Sequence, residues 1–104
     1  MIESNFLAYV GPPDLHDGQI IEVVQNGDTV SVLVQAYTGR RFAIEFSGVA
    51  EVRAVEPEGM WLYSLTEMTY PPPLRRFVFV NHEDEHASAL ELLARQFRLS
   101  DVVP

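Results

Sequence analysis

Apolar and polar residues alternate along the first half of the chain in a pattern that predicts antiparallel strands. From Thr29 to Tyr37, an apolar side chain recurs at every second position, which is the period of a strand with one buried face. A β-branched run at 20–24 precedes this segment and ends at Asn26-Gly27, a pair that tolerates the positive φ values of a tight hairpin turn. After a second turn at Thr38-Gly39, the alternation resumes at 42–46. The pattern therefore predicts a three-stranded meander.

Three more strands are predicted between residues 49 and 81. They cover 49–55, 60–68 and 74–81, and a bend at Ser47-Gly48 leads into the first of them. The run Phe77-Val78-Phe79-Val80 is apolar at every position, which favours a strand in the middle of a sheet that is covered on both faces. The first ten residues allow either a short helix or an edge strand.

The last part of the chain carries the periodicity of a helix. Asn81 is a favourable N-cap, and the acidic residues at 83–85 suit the positive end of a helix dipole. Apolar residues then recur at three- and four-residue steps, as on one face of a helix; they are Ala87, Leu90, Leu93, Ala94 and Phe97. The whole pattern predicts an α+β fold of about six antiparallel strands in a strongly bent sheet or barrel, with one C-terminal amphipathic helix packed on it.

Length and charge narrow the range of functions. At 104 residues the chain suits a single domain, which we take to span 1–104. There are 15 acidic residues against 7 basic ones and a net charge of −8, which argues against binding to nucleic acid or to an anionic membrane. The absence of cysteine excludes disulfides and thiolate metal sites. No apolar run suits a secretory signal or a membrane span, so a cytoplasmic protein is expected.

One short motif matches a metalloprotease pattern by its letters. His82-Glu83-Asp84-Glu85-His86 reads H-E-x-x-H, in which two histidines one helical turn apart bind zinc. Its variable positions are acidic rather than apolar, and it lies at the expected start of the helix. We interpret it as an acidic helix start flanked by histidines and expect no resident metal ion or cofactor. Adventitious metal binding by His86 with a carboxylate is the alternative.

A second candidate site precedes the first strand of the meander. His16 and Asp17 could form an acid/base pair or half of a metal site, whereas a turn at Asp17-Gly18 is the simpler interpretation. A site that binds a small ligand or a metal ion, with or without enzymatic activity, requires His16 and Asp17 to converge with His82 or His86.

Four short motifs follow one another along the chain. They are Leu15-His16-Asp17-Gly18-Gln19-Ile20, Asn26-Gly27-Asp28, Phe46-Ser47-Gly48-Val49 and Arg76-Phe77-Val78-Phe79-Val80-Asn81. With a terminal helix after them, this layout resembles small bacterial domains of unknown function and immunity-type proteins, over roughly residues 14–97. The resemblance implies a curved antiparallel sheet or barrel with a helix and a bacterial origin. It implies no catalytic residue.

The negative charge and the lack of an assembled active site favour a non-enzymatic protein-binding module. A more specific version of this hypothesis is an immunity-type protein that neutralises a basic toxin. An acidic surface speeds association with a basic partner. The candidate partner-binding residues are Glu22, Glu45, Glu51, Glu56, Glu58, Trp61 and Tyr63. For the two aromatic residues, burial in the core is the favoured interpretation and an exposed patch is the alternative. A homodimer joined through a sheet edge or an aromatic patch also remains open.

Overall fold

Nine β-strands form two antiparallel sheets in the computed structural model, which describes residues 6–81 and 89–102. The sheets have the strand orders β1-β6-β7-β8-β5 and β2-β3-β4-β9, and we call them sheet A and sheet B. A single 3-10 turn at Pro13–Leu15 separates the first two strands. The strands are β1 (Phe6–Tyr9), β2 (Gln19–Asn26), β3 (Thr29–Gln35), β4 (Arg41–Ser47), β5 (Glu51–Val55), β6 (Leu62–Met68), β7 (Arg75–Asn81), β8 (Ala89–Ala94) and β9 (Gln96–Val102).

The predicted meander is confirmed as β2, β3 and β4 of sheet B. A two-residue turn joins β2 to β3, and Gly27 occupies it with a φ of +66°. Strands β3 and β4 pair with Val30 opposite Phe46 and with Val34 opposite Phe42. Their apolar positions therefore share one face, and that face is completely buried.

The core fills the space between the two sheets, and phenylalanine rings stand at its centre. The ring centroid of Phe46 on β4 lies 5.1 Å from Phe77, 5.9 Å from Phe79 and 6.4 Å from Phe97. Aromatic pairs at such separations stabilise a core beyond the area that they bury. Rings from β4 and β9 of sheet B thus contact rings from β7 of sheet A at the centre of the core.

A two-stranded ribbon bends from one sheet into the other. Along it, β4 pairs with β9 in sheet B, and β5 then pairs with β8 in sheet A. The bend falls at Gly48 and Arg95, where the Arg95 N–H donates to the Ser47 carbonyl at 3.1 Å. Gly48 has a φ of +63°, and a Cβ placed on it would lie 2.8–2.9 Å from side-chain carbons of Arg95. Glycine is required here on both counts, which confirms the bend predicted at Ser47-Gly48.

The predicted C-terminal helix is wrong, and the α+β class is wrong with it. Residues 89–94 and 96–102 form β8 and β9, and the described part of the chain holds no helix longer than the 3-10 turn. Leu90, Leu92 and Ala94 face the core with a period of two, which the three- and four-residue spacing concealed. Strands β7 and β5 flank β8 and satisfy its backbone groups by pairing. The expected helix start at 82–88 lies outside the described residues.

The prediction that Trp61 and Tyr63 fill the core is also wrong. Both side chains are more than half exposed. Strand β6 has a register irregularity between Leu62 and Ser64, so that Leu62 and Leu65, three residues apart, both lie in the core. A bulge of this kind reverses the alternation of a strand, and Tyr63 falls at the reversal.

Two open points about strand position are answered by the sheet order. The start of the chain supplies an edge strand, β1, rather than a helix, and all four of its residues are exposed. Strand β7 lies in the middle of sheet A, with Phe77 and Phe79 buried and the alternate valines half-buried.

Within the described residues, no helix is long and apolar enough to cross a membrane.

One ion pair lies on the inner face of sheet A. Glu67 is opposite Phe77 in the β6–β7 register, and its carboxylate accepts two hydrogen bonds from Arg75, at 2.8 and 2.9 Å. The Arg75 guanidinium lies 5.3 Å from the ring centroids of Phe77 and Phe97. The hydrogen bond to Glu67 raises the pKa of Arg75, against the lowering effect of burial. The guanidinium of Arg75 therefore keeps its charge while it packs against the aromatic core.

We expect Glu67→Gln to lower the free energy of unfolding by about 1–2 kcal/mol, because Arg75 loses its charged partner beside two aromatic rings. Glu45→Gln is the matched control, since Glu45 also pairs with an arginine but its side chain is 45% exposed, against 12% for Glu67. We expect less than about 0.5 kcal/mol from that change. Urea denaturation measures both, and equal effects would contradict the role assigned to burial.

Candidate functional site

A groove of about 590 Å³ opens between the outer strands of the two sheets. Strand β2 ends sheet B and strand β5 ends sheet A, and no described strand bridges them. Inward-facing residues near these two edges form an apolar floor, and the loop after β5 forms one wall. The lining residues are Val23, Gln25, Val30, Val52, Ala54, Glu56, Pro57 and Glu58. The volume lies within the usual range of ligand-binding pockets.

The loop that follows β5 fastens itself to the first half of β2. Its Gly59 N–H donates to the Ile20 carbonyl at 2.7 Å, and the Ile20 N–H donates to the Met60 carbonyl at 2.9 Å. A carboxylate oxygen of Glu58 accepts the backbone N–H of Val23 at 2.9 Å. These bonds cover part of the β2 edge and hold Glu58 at the rim of the groove.

Glu56 reaches the same rim through an unusual backbone conformation. Its φ is +42°, in the left-handed region that residues other than glycine rarely adopt. The residue before a proline is moreover biased towards extended conformations, and Pro57 follows it. Strain of this kind is stored preferentially at binding and catalytic sites. The conformation places a second carboxylate on the groove at an energetic cost.

The arginines neutralise carboxylates elsewhere on the molecule. The ion pairs described in the structure join Arg40 to Asp14 and Asp101, Arg98 to Glu45, Arg75 to Glu67, and both Arg53 and Arg76 to Glu91. The hydrogen bond from Arg76 to Glu91 raises the pKa of Arg76. None of these pairs involves a residue that lines the groove.

Two of the carboxylates outside these pairs line the groove. Leaving aside Asp17, which makes contacts of its own, five acidic side chains among residues 6–81 and 89–102 form no ion pair with an arginine. They lie on β2, in the β2–β3 turn, on β5 and in the loop after β5, and they are Glu22, Asp28, Glu51, Glu56 and Glu58. Of the eight lining residues, two are carboxylates and none is basic. The groove is therefore acidic.

The acidic residues named from the sequence thus fall into three groups. Glu56 and Glu58 come together on the rim of the groove; Glu22 precedes the lining residue Val23 on β2 but does not itself line the groove. Glu51 lies on β5 but faces the opposite side of sheet A, where it lines a smaller cavity of about 210 Å³ with Arg53 and other residues. Glu45 belongs to neither cavity, because it lies on β4 and pairs with Arg98 at 3.2 Å.

His16 and three aromatic side chains form a separate cluster at the β1 end of sheet A. The ring centroid of His16 lies 5.4 Å from Tyr9 and 6.3 Å from Tyr63, and Tyr9 lies 5.0 Å from Phe6. Trp61 forms an isolated bridge with Gln19 instead. Sequence reasoning did not connect Tyr9 with His16, because the contact depends on the pairing of β1 with β6.

Asp17 lies in a turn, as the simpler interpretation of Asp17-Gly18 predicted. Its φ is +65°, and its backbone N–H donates to the Leu62 carbonyl at 2.9 Å. His82 and His86 lie outside the described residues, so the predicted convergence with His16 stays a prediction. Within the described part of the chain, no group of three or more His, Asp or Glu residues is arranged to hold a metal ion.

Compared with protein-family models, with curated proteins and with solved structures, the chain shows no significant match to any of them. The resemblance to small bacterial immunity-type proteins therefore stays a prediction that rests on the short motifs quoted above.

Proposed function

We propose that this protein is a non-enzymatic binding module that holds a basic segment of another protein in the groove between β2 and β5. The observation that carries the proposal is the distribution of charge. No arginine of a described ion pair lines the groove, whereas Glu56 and Glu58 line it and have no arginine partner among the described ion pairs. Carboxylates left without an internal counter-charge attract a basic partner and speed its association.

The floor of the groove adds a second source of affinity. Val23 and Val52 are only half-buried although they belong to the faces that form the core. An apolar side chain of the partner that covers them gains about 25 cal/mol for each Å² of apolar surface removed from water. The bound segment is therefore expected to alternate apolar and basic residues, as an extended peptide does when one side faces a groove.

A role of the immunity type is the narrower form of this proposal. In that case the basic partner is a toxin, and the acidic groove covers a positively charged part of its surface. The short motifs of the sequence and the acidic groove support this form, and identification of the partner decides it.

Binding of a defined basic peptide tests the proposal. The probe is a fluorescein-labelled nonapeptide of alternating lysine and valine, and fluorescence anisotropy at low ionic strength measures its dissociation constant. We expect the double variant Glu56→Gln/Glu58→Gln to weaken binding by about 3- to 10-fold, since each exposed charge pair contributes about 0.2–1 kcal/mol. Added salt should weaken the wild-type complex and affect the double variant less.

Three controls separate charge at the groove from other effects. A peptide with glutamate in place of lysine should bind at least about tenfold more weakly, and Glu45→Gln should leave the affinity unchanged. Glu56→Gly should also weaken binding, while stability is kept or increased by up to about 1 kcal/mol, because glycine adopts a positive φ freely. Equal affinity for the two peptides, or an equal loss from Glu45→Gln, would contradict the proposal.

A further inference from the structure

Strand β1 is an edge strand whose side chains are apolar and exposed. It ends sheet A and pairs only with β6 among the described strands. Phe6, Leu7 and Tyr9 are between 44% and 58% exposed. A register irregularity between Phe6 and Ala8 turns Leu7 out of the regular alternation. The outer side of β1 presents backbone N–H and C=O groups that a further strand could pair.

The other outer strands of the two sheets differ from β1, because they carry charged side chains or are partly covered by a loop. The loop after β5 is hydrogen-bonded over part of β2, and β5 itself carries Glu51 and Arg53. Strand β9 carries Arg98 and Asp101. Charged side chains and covering loops are the usual means by which natural proteins keep sheet edges from pairing. The four residues of β1 include no charged side chain.

The apolar surface extends beyond the strand itself. Tyr9 lies against Phe6 on one side and against His16 on the other, and His16 leads on to Tyr63. We call these four residues, together with Leu7, the β1 patch. It contains no carboxylate, although the chain has a net charge of −8. Exposed apolar surface that is continuous across several elements marks an interaction site.

We propose that a second copy of this chain docks on the β1 patch, with β1 of one copy antiparallel to β1 of the other. Antiparallel pairing of a strand with its own copy is compatible with a twofold axis, the commonest symmetry of protein dimers. The two five-stranded sheets become one continuous sheet across that axis. Charge favours this edge, because two chains of the same negative charge repel least where neither presents a carboxylate.

The position of the patch also keeps the acidic groove accessible. Strands β1 and β5 are at opposite ends of sheet A, so the groove beside β5 lies far from the dimer axis. The dimer therefore presents two grooves that face away from each other. The pairing does not depend on what the groove binds.

Sedimentation equilibrium across a range from micromolar to near-millimolar protein tests the proposal. A four-residue strand buries little area, so we expect a monomer at the lowest concentration and a dimer at the highest. Leu7→Glu places like charges near the twofold axis and should raise the dissociation constant by at least about tenfold. Tyr37→Glu is the control, since Tyr37 is the most exposed aromatic side chain described outside the patch and lies in the β3–β4 turn.

Amide hydrogen exchange at 6–9 identifies the surface that is used. In the wild-type protein, exchange at these amides should slow as concentration rises, and in Leu7→Glu it should not. A monomer at every concentration would overturn the proposal. So would an equal loss of association from Tyr37→Glu, or a dimer in which exchange at 6–9 does not change with concentration.

Discussion

Phe46→Ala is expected to lower the free energy of unfolding by about 3–5 kcal/mol, the range for removal of a fully buried aromatic side chain. Phe46 has no exposed surface, and its ring contacts Phe77, Phe79 and Phe97 on two other strands. The substitution would leave a cavity where β4, β7 and β9 meet. The sheets lie on either side of that point, so the cavity would not close by a small shift of one side chain.

Two companion variants keep this prediction testable if the alanine variant does not fold. Phe46→Leu retains most of the buried volume and should cost about half as much. Tyr37→Ala removes an exposed ring and should change stability by less than about 0.5 kcal/mol. Urea denaturation measures all three. A cost for Phe46→Leu no larger than that for Tyr37→Ala would show that the phenylalanine cluster is not the centre of the core.

The second large effect is expected at the corner of the bent ribbon, where Gly48→Ala should cost about 3 kcal/mol. Part of this cost is the positive φ, which alanine adopts with a penalty of about 1 kcal/mol. The rest is steric, because the new Cβ would lie 2.8–2.9 Å from carbons of Arg95, one of them its Cβ. That Cβ cannot move unless the backbone of the β8–β9 connection moves with it, and overpacking of this kind typically costs 1–3 kcal/mol.

Gly27→Ala separates the two parts of the cost. Gly27 has nearly the same φ, +66°, but no atom lies within 4 Å of its added Cβ. We expect this variant to lose only the conformational part, about 1 kcal/mol. Thermal or urea unfolding of the two variants gives the difference directly. Equal losses would mean that Arg95 yields to the new methyl group and that the corner is not sterically closed.

Local pattern was sufficient for the parts of the fold that are local in sequence. Strands β2, β3 and β4 are joined by short turns, so alternation and the turn residues at Asn26-Gly27 and Thr38-Gly39 predicted them without knowledge of the rest. The same holds for the bend at Gly48. Strands β5, β6 and β7 were also predicted, although the bulge after Leu62 leaves Trp61 and Tyr63 exposed, where burial in the core was favoured.

The C-terminal segment failed because its sequence fits two periods. Leu90, Leu93, Ala94 and Phe97 suit a helix, whereas Leu90, Leu92 and Ala94 suit a strand. The neighbours of β8 decide between them: Phe77 of the preceding strand and Val52 of the distant strand β5 each stand opposite Leu92. Short apolar runs of this kind cannot be assigned from periodicity alone.

The candidate site was predictable in its residues but not in its arrangement. Glu56 and Glu58 were named from charge, yet their position on a groove depends on the gap between β2 and β5. Glu45 was named for the same reason, and only the pairing of β4 with β9 shows that Arg98 neutralises it. The groove also depends on the positive φ of Glu56, which the sequence does not predict, because the following proline favours an extended conformation there.

The ribbon that bends at Gly48 has a consequence for the order in which the protein can fold during synthesis. Glu51 on β5 pairs with Leu93 on β8, about 40 residues later, and closing a loop of that length carries an entropic cost that short hairpins avoid. Strands β2 to β4 can pair as soon as they leave the ribosome, but their apolar face stays uncovered until β6 and β7 emerge, and the core is complete only with β8 and β9. A nascent chain at this stage exposes Phe42, Ile44 and Phe46 to solvent, so it is then that we expect it to need a chaperone most.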